Sequence, residues 1–273
     1  MIRSAEDGEL ESILAWLSHE APLNLPIIGD LSRCGLGTDY LEVWVQLDNS
    51  GSRTALVRRH FEHFAVYAPP GADIEELGFF LRFSDPATVA GCRDTIDTLA
   101  EALDGYMPEV VRSMVLPGTG RLEPVADPTS LAASGLSIDR ADTADADALG
   151  ELIFATDAFR RNYHAAAEVA AGIRSRMRAG GVRHMVVRRN GRIVSHANTT
   201  AEMEGFALVS GVTTAPDAQR QGLASKLVSS LCRELLGEGR IPCLFAKSPG
   251  ALAMYDKLGF VRTGEYVTLR RPE

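Results

Sequence analysis

The stretch SGVTTAPDAQRQGLASKLV, Ser210–Val228, limits the fold most tightly: a strand has to stop, turn and pass into a helix whose start carries Gly222. The first backbone N–H groups of a helix have no partner inside it, and aligned peptide dipoles leave about half a positive charge there. Such a start attracts anions. Gly222 and Ala224 keep bulk away from the side where a pyrophosphate would approach the backbone, and Arg220, Gln221 and Ser225 can add donors. A nucleotide with a pyrophosphate arm is the ligand this suggests. Taken alone, the Q-x-x-G-x-A pattern of Gln219–Ala224 also fits a small-residue contact between helix and sheet.

The neighbouring sequence predicts the frame around this segment. Leu136–Arg140 reads as a strand, and Thr143 as the N-cap of a helix through Leu149, Leu152 and Ile153. Arg183–Arg188 and Arg192–Asn198 flank Asn190-Gly191, a hairpin signal. Phe206–Thr214 is a long strand. Leu223, Leu227, Leu231 and Leu235 then repeat at i, i+4 in a helix expected from Arg220 to Leu236. A strand (Ile241–Ala246), a short helix (Pro249–Leu258) and a last strand (Tyr266–Arg270) complete the rear part.

The front part opens with an amphipathic helix, Glu9–Leu17, and an apolar segment, Leu23–Leu31. Leu41–Leu47 alternates as a half-buried strand, and Thr54–Arg58 and Phe61–Tyr67 follow as an antiparallel meander. A helix is expected over Thr88–Leu103 and a strand over Val110–Leu116. Between the parts, Pro, Gly, Ser and Ala crowd a stretch without sustained periodicity. The expected organisation is residues 1–120 as a first α/β domain, 121–135 as a linker and 136–273 as a second domain.

A second motif lies about thirty residues beyond the first, SPGALAMYDKLGF, Ser248–Phe260. Gly259 suits a left-handed helix C-cap, and Tyr255 reads either as a functional hydroxyl or as a core aromatic. With both motifs in order, residues 136–270 resemble the GNAT acyltransferase superfamily. Val212–Ala224 looks like its acyl-CoA pyrophosphate loop and Ala251–Phe260 like its second signature. The rear half is similar to the glycine N-acyltransferase-like branch. Ala21–Leu31 looks like the opening region of two-domain GNAT proteins in which the front half is a degenerate copy.

The resemblance implies an α/β chain, α+β by layering: a GNAT fold with a mixed, mostly antiparallel sheet flanked by helices, and a second GNAT-like domain in front. It implies acetyl-CoA or another acyl-CoA as cofactor and N-acetyl transfer to a primary amine of a small molecule or amino acid, by direct attack through a tetrahedral intermediate. Tyr255 is then the general acid for the departing thiolate, since a phenol of ordinary pKa about 10 keeps its proton at neutral pH. Cofactor contacts are expected from Val212, Thr213, Thr214, Gln219, Arg220, Gln221, Gly222, Leu223, Ala224, Ser225, Ser248 and Ala251. Ser248 departs from the asparagine often found there in the family.

The general base is left open. The family often places a carboxylate on the central strand, but Phe206–Thr214 has none. Glu202, Glu204 and His196 are the remaining candidates, against a solvated hairpin for the glutamates and a polar residue on a strand face for the histidine. Phe159 and Tyr163 sit where the family places substrate contacts, or they pack over the sheet. The missing carboxylate and Ser248 keep a second reading in view, a non-catalytic acyl-CoA-binding or sensing protein.

Charge and cysteine usage bound the class. The net charge of −8 argues against nucleic acid as partner. It divides unevenly: nine basic and 21 acidic residues up to Ser130, 19 basic and 15 acidic after it. The positive half is the one with the expected anion loop. The four cysteines lack CxxC or metal spacing, so neither a metal site nor a disulfide frame is expected. The N-terminus lacks signal-peptide character, and no apolar run reaches membrane length. The expectation is a cytoplasmic monomer or homodimer without membrane partners.

Overall fold

The computed structural model describes residues 1–125, 127–156, 160 and 163–272. The chain divides into two compact units. Met1–Met114, Phe245–Lys247 and Arg262–Glu273 form the first, and Val115–Leu244 with Ser248–Val261 form the second.

In the first unit, β1 (Ile2–Ser4), β3 (Leu41–Leu47), β4 (Arg53–His60) and β5 (His63–Tyr67) pair antiparallel in that order, with β2 (Gly37–Thr38) against β3. Strand β6 (Thr88–Cys92) pairs parallel with β5. Helices α1 (Leu10–Leu17), α2 (Ala21–Cys34), α3 (Ile74–Ser84) and α4 (Arg93–Leu99) accompany these strands, and β7 (Met107–Val115) follows. Ala55, Val57, Phe64, Leu77, Leu81, Val89 and Ile96 share one core.

Two expectations are corrected here. The helix predicted over Thr88–Leu103 is a strand up to Cys92, because Val89 is buried in the sheet core and tertiary pairing overrides local propensity. Helix α3 was not anticipated from the sequence; Asp73 caps it by accepting from Glu76 N–H at 3.0 Å.

In the second unit, α5 (Pro128–Ala133) breaks the expected linker; Asp127 caps it by accepting from the N–H groups of Thr129 and Ser130. Strands β8 (Leu136–Arg140), β9 (His184–Arg189), β10 (Arg192–Met203) and β11 (Phe206–Thr214) pair antiparallel in sequence order. Strand β12 (Ile241–Ala246) adds in parallel beside β11. Asn190 and Gly191 both take positive φ, as the predicted tight hairpin requires.

Helices α6 (Ala146–Phe154) and α7 (Ala166–Ala179) pack on each other. The 3-10 turn Thr143–Asp145 that leads into α6 is capped by Asp142, which accepts from Ala144 N–H at 2.7 Å, and not by Thr143 as predicted; the longer carboxylate arm reaches the turn from one residue earlier. Helix α8 (Leu223–Gly237) buries Leu223, Leu227, Leu231 and Leu235, the predicted stripe, and α9 (Pro249–Leu258) follows β12. Each such leucine contributes about 1.5–3 kcal/mol by leaving water.

The last strand, β13 (Val261–Arg270), pairs antiparallel with β6, from Tyr266↔Cys92 to Arg270↔Thr88. From Arg262 on it therefore belongs to the first unit, not to the rear domain in which the sequence order alone had put it. Among the described residues no helix is long and apolar enough to cross a membrane.

Candidate active site

The site begins with the phase of the β10–β11 ladder. Ala215 N–H donates to Val194 O at 2.9 Å, and Ser195↔Thr214 and His196↔Thr213 continue that register. Alternation then turns the main-chain groups of Thr213 toward β10 and those of Val212 and Thr214 away from it. At Gly211 the register slips, since Asn198 faces Ser210 and β11 carries one residue more than β10. Gly211 has φ 59°, and a Cβ there would overlap Asn198 Oδ1, so this bulge requires glycine. On its other side β11 pairs with β12 over Phe206↔Ile241 to Leu208↔Cys243. Val212 and Thr214 lie beyond that register, their main chain turned toward the side it has left.

The loop after β11 is tied by side chains. Gln219 Nε2 donates to Thr214 O at 3.1 Å, and Gln221 Nε2 to Asp217 O at 3.2 Å. Arg189 at the end of β9 donates to Gln221 Oε1, and Arg192 pairs with Asp217. Arg220 has φ 60° and Gly222 φ 74°, so α8 starts at Leu223, three residues later than predicted. Nothing lies within 4 Å of where a Gly222 Cβ would be. No side chain caps this helix, and Lys226 N–H to Gly222 O, 3.1 Å, is its opening bond. The N–H groups of Leu223, Ala224 and Ser225 therefore stand at a bare, electropositive helix start.

The corresponding strand–loop–helix of the first unit, β5 to α3, is the opposite case. The Asp73 carboxylate already occupies that helix start, and Glu75 and Glu76 follow in its first turn. An anionic ligand would meet like charge there.

Tyr255 is 6% exposed, in edge contact with Phe260, and burial followed by the nearby Cys232 pushes its phenol up from the ordinary value. It holds its proton at neutral pH. Ser248, expected among the cofactor contacts, accepts from Ala251 N–H at 3.2 Å, so both residues are engaged in capping α9. Gly259, φ 92°, is the predicted left-handed C-cap.

The three base candidates are placed poorly for that role. Glu202 takes a bidentate grip from Arg183 (2.8 and 2.6 Å) and a hydroxyl from Thr199 at 2.6 Å. It faces Ala207, which lies roughly 16 Å along β11 from Val212 at about 3.3 Å per residue. Glu204 is exposed in the two-residue turn between β10 and β11, at the same far end. His196 is fully buried, and both ring nitrogens are engaged, Nδ1 with Gly211 O and Nε2 with His184 Nδ1, each at 3.0 Å. Tyr163 is half-buried ahead of α7, its N–H donating to Arg160 O at 3.2 Å, and Phe159 lies outside the described residues.

Three residues at the site were not singled out in the sequence. Arg189 and Arg192 flank the hairpin turn, and their only local signal is charge beside Asn190-Gly191. His184 comes to His196 through strand pairing twelve positions apart.

A family model for GNAT acetyltransferase matches residues 181–269. This segment belongs to the GNAT family. The GNAT fold extends beyond it. A GCN5-related N-acetyltransferase from Sphaerobacter thermophilus is 18% identical with a TM-score of 0.69, over 100% of this chain and 96% of that one. A tandem GNAT protein from the clavulanic acid biosynthesis pathway is 15% identical with a TM-score of 0.65, over 100% and 99%. A GCN5-related N-acetyltransferase from Kribbella flavida is 18% identical with a TM-score of 0.59, over 81% and 87%. At these identities the likeness establishes the fold, and the tandem protein matches a GNAT-like front half as well as the GNAT rear half. The chain matches none of the curated proteins.

Proposed function

We propose that the chain is an acetyl-CoA-dependent N-acetyltransferase acting on a primary amine of a small molecule or amino acid. The observation that carries this is the bare start of α8 at Gly222 beside the outward-turned main chain of Val212 and Thr214. The donor set suits CoA: open N–H groups for a pyrophosphate, strand-like main chain for an amide-bearing arm, and Arg189, Arg220 and Lys226 as nearby positive charge. Acyl-CoA supplies an activated thioester. For their part, Leu223, Ala224 and Ser225 would hold its phosphates, Val212 and Thr214 would align its arm, and Tyr255 would give a proton to the departing sulfur.

Catalysis falls to the second unit, Val115–Leu244 with Ser248–Val261. The front domain, about 1–120, is an accessory one, because Asp73 fills its matching helix start. Four free cysteines, Cys232 and Cys243 buried among them, support a cytoplasmic location.

Calorimetry with CoA, paired with thiol release from acetyl-CoA across a panel of amines, tests the reading. CoA binding with amine-dependent thiol release is expected. Binding without release for any amine would favour a non-catalytic acyl-CoA sensor, and absence of binding would remove both readings.

A further inference from the structure

We infer that His184 and His196 form a hydrogen-bond relay that fixes the Gly211–Val212 peptide, aiming the Val212 N–H away from β10 as the main-chain donor to the acyl oxygen. This rests on the acyl-transfer reading and adds two positioning residues to it.

The direction of the relay follows from chemistry. A carbonyl oxygen only accepts, so the 3.0 Å contact from His196 Nδ1 to Gly211 O puts the proton on Nδ1. His196 Nε2 is then a lone pair, and the 3.0 Å contact from His184 Nδ1 can only be a donation into it. Both rings are held as Nδ1–H tautomers, and His184 Nε2 ends the relay as a buried lone pair without a hydrogen-bond partner among the described residues. At 3% and 0% exposure the rings are shielded from water. The charged group whose field reaches both is Arg176 of α7, and it opposes a further proton on either ring.

The consequence for the bulge is geometric. In a trans peptide the C=O and N–H point in opposite directions. With the Gly211 oxygen held at His196 on β10, the Val212 N–H of the same peptide faces the other way, toward the side where β11 has left β12. That orientation agrees with the ladder phase set by Ala215 and Val194. A bulge with glycine at φ 59° would otherwise let this peptide rotate. Donation into the carbonyl also polarises the peptide and strengthens its N–H as a donor. A preorganised N–H of this kind acts on charge that develops during reaction.

The test combines nitrogen NMR of the full chain with kinetics. Both histidines should display protonated Nδ1 and unprotonated Nε2 between pH 6 and 8, a pattern that a base cycling its proton would not keep. His196→Phe should lower kcat roughly tenfold to hundredfold, less than loss of an oxyanion donor outright, with CoA affinity within about threefold. His196→Gln, which can still donate to the carbonyl, should recover part of that loss. His184→Gln, which keeps a donor but cannot take up a proton, should retain roughly fivefold more kcat than His184→Phe.

Unchanged kcat in a folded, CoA-binding His196→Phe would overturn the relay, as would equal losses of kcat and CoA affinity. If His196→Phe does not fold, His184→Gln as inactive as His184→Phe overturns it, because proton uptake is then the role. A wild-type chain that displays the tautomers yet neither binds CoA nor releases thiol would instead remove the acyl-transfer reading, and the donor role with it.

Discussion

Gln219 Nε2 donates to the Thr214 carbonyl at 3.1 Å, tying the end of β11 to the loop that opens α8. The bond fixes the distance between the outward-turned strand end and the bare helix start, the two features a CoA molecule would have to touch together. Gln219→Ala removes one exposed hydrogen bond worth about 0.5–1.5 kcal/mol. CoA should bind about three- to tenfold more weakly in calorimetry, while kcat at saturation stays close to wild type.

Gly222 combines φ 74° with open space where its Cβ would stand. Gly222→Val should destabilise the fold by about 1–2 kcal/mol, the cost of a left-handed branched residue. Its side chain would also cover the N–H groups of the helix start. Weaker CoA binding, tenfold or more, is expected alongside a lowered Tm; a changed Tm with unchanged CoA affinity would place the phosphates elsewhere.

For Tyr255→Phe the expected outcome is a kcat loss of about 100-fold or more with CoA affinity nearly constant, since general acids of this kind contribute about 10²–10⁴-fold. The ring stays in its edge contact with Phe260, so Tm should hold. Parallel losses of kcat and affinity would mark the hydroxyl as structural.

Stability should fall on mild acidification because of the histidine pair. Burial, with Arg176 adding to it, lowers His184 to about 4, and burial with the His184 and Arg176 fields lowers His196 to about 3. The unfolded chain takes up these protons near pH 6.5 and the folded chain does not. Unfolding free energy is therefore full above about pH 6.5 and declines as pH falls toward 4. Urea midpoints from pH 8 to 4 should trace this slope, and His184→Gln should flatten it.

Arg183 holds Glu202 and Glu238 at once, and Glu202 is 9% exposed at its side chain. Arg183→Met strands that carboxylate and should cost about 3–5 kcal/mol in denaturant unfolding, the usual penalty for breaking a buried pair. A loss under 1 kcal/mol would mean that Arg240, 3.7 Å from Glu202, takes over.

Local pattern carried much of the rear unit. Phe206–Thr214, Ile241–Ala246 and Pro249–Leu258 stand where alternation, apolar runs and the Pro and Gly signals put them. The leucine stripe of α8 is buried as its spacing requires. Thr88–Cys92 spans five residues, too few to display a period of its own, and sheet pairing decides its state. Helix α3 was missed although Asp73 caps it, and Asp142 took the cap predicted for Thr143.

By itself the sequence determined that a glycine-bearing helix start would follow a long strand, and that a tyrosine would sit on a short helix beyond the next strand. Those are local facts, set by side-chain period and backbone freedom. Tertiary structure decided what no spacing encodes. It brought His184 to His196 across paired strands, Arg189 to Gln221 in the loop before α8, and Arg183, just ahead of β9, to Glu202 on β10. It also sent the last strand to β6. Strand register and burial choose such partners, because a hydrogen-bond network takes its meaning from which polar groups are shielded from water together, and residues far apart in the chain meet only once the sheet has formed.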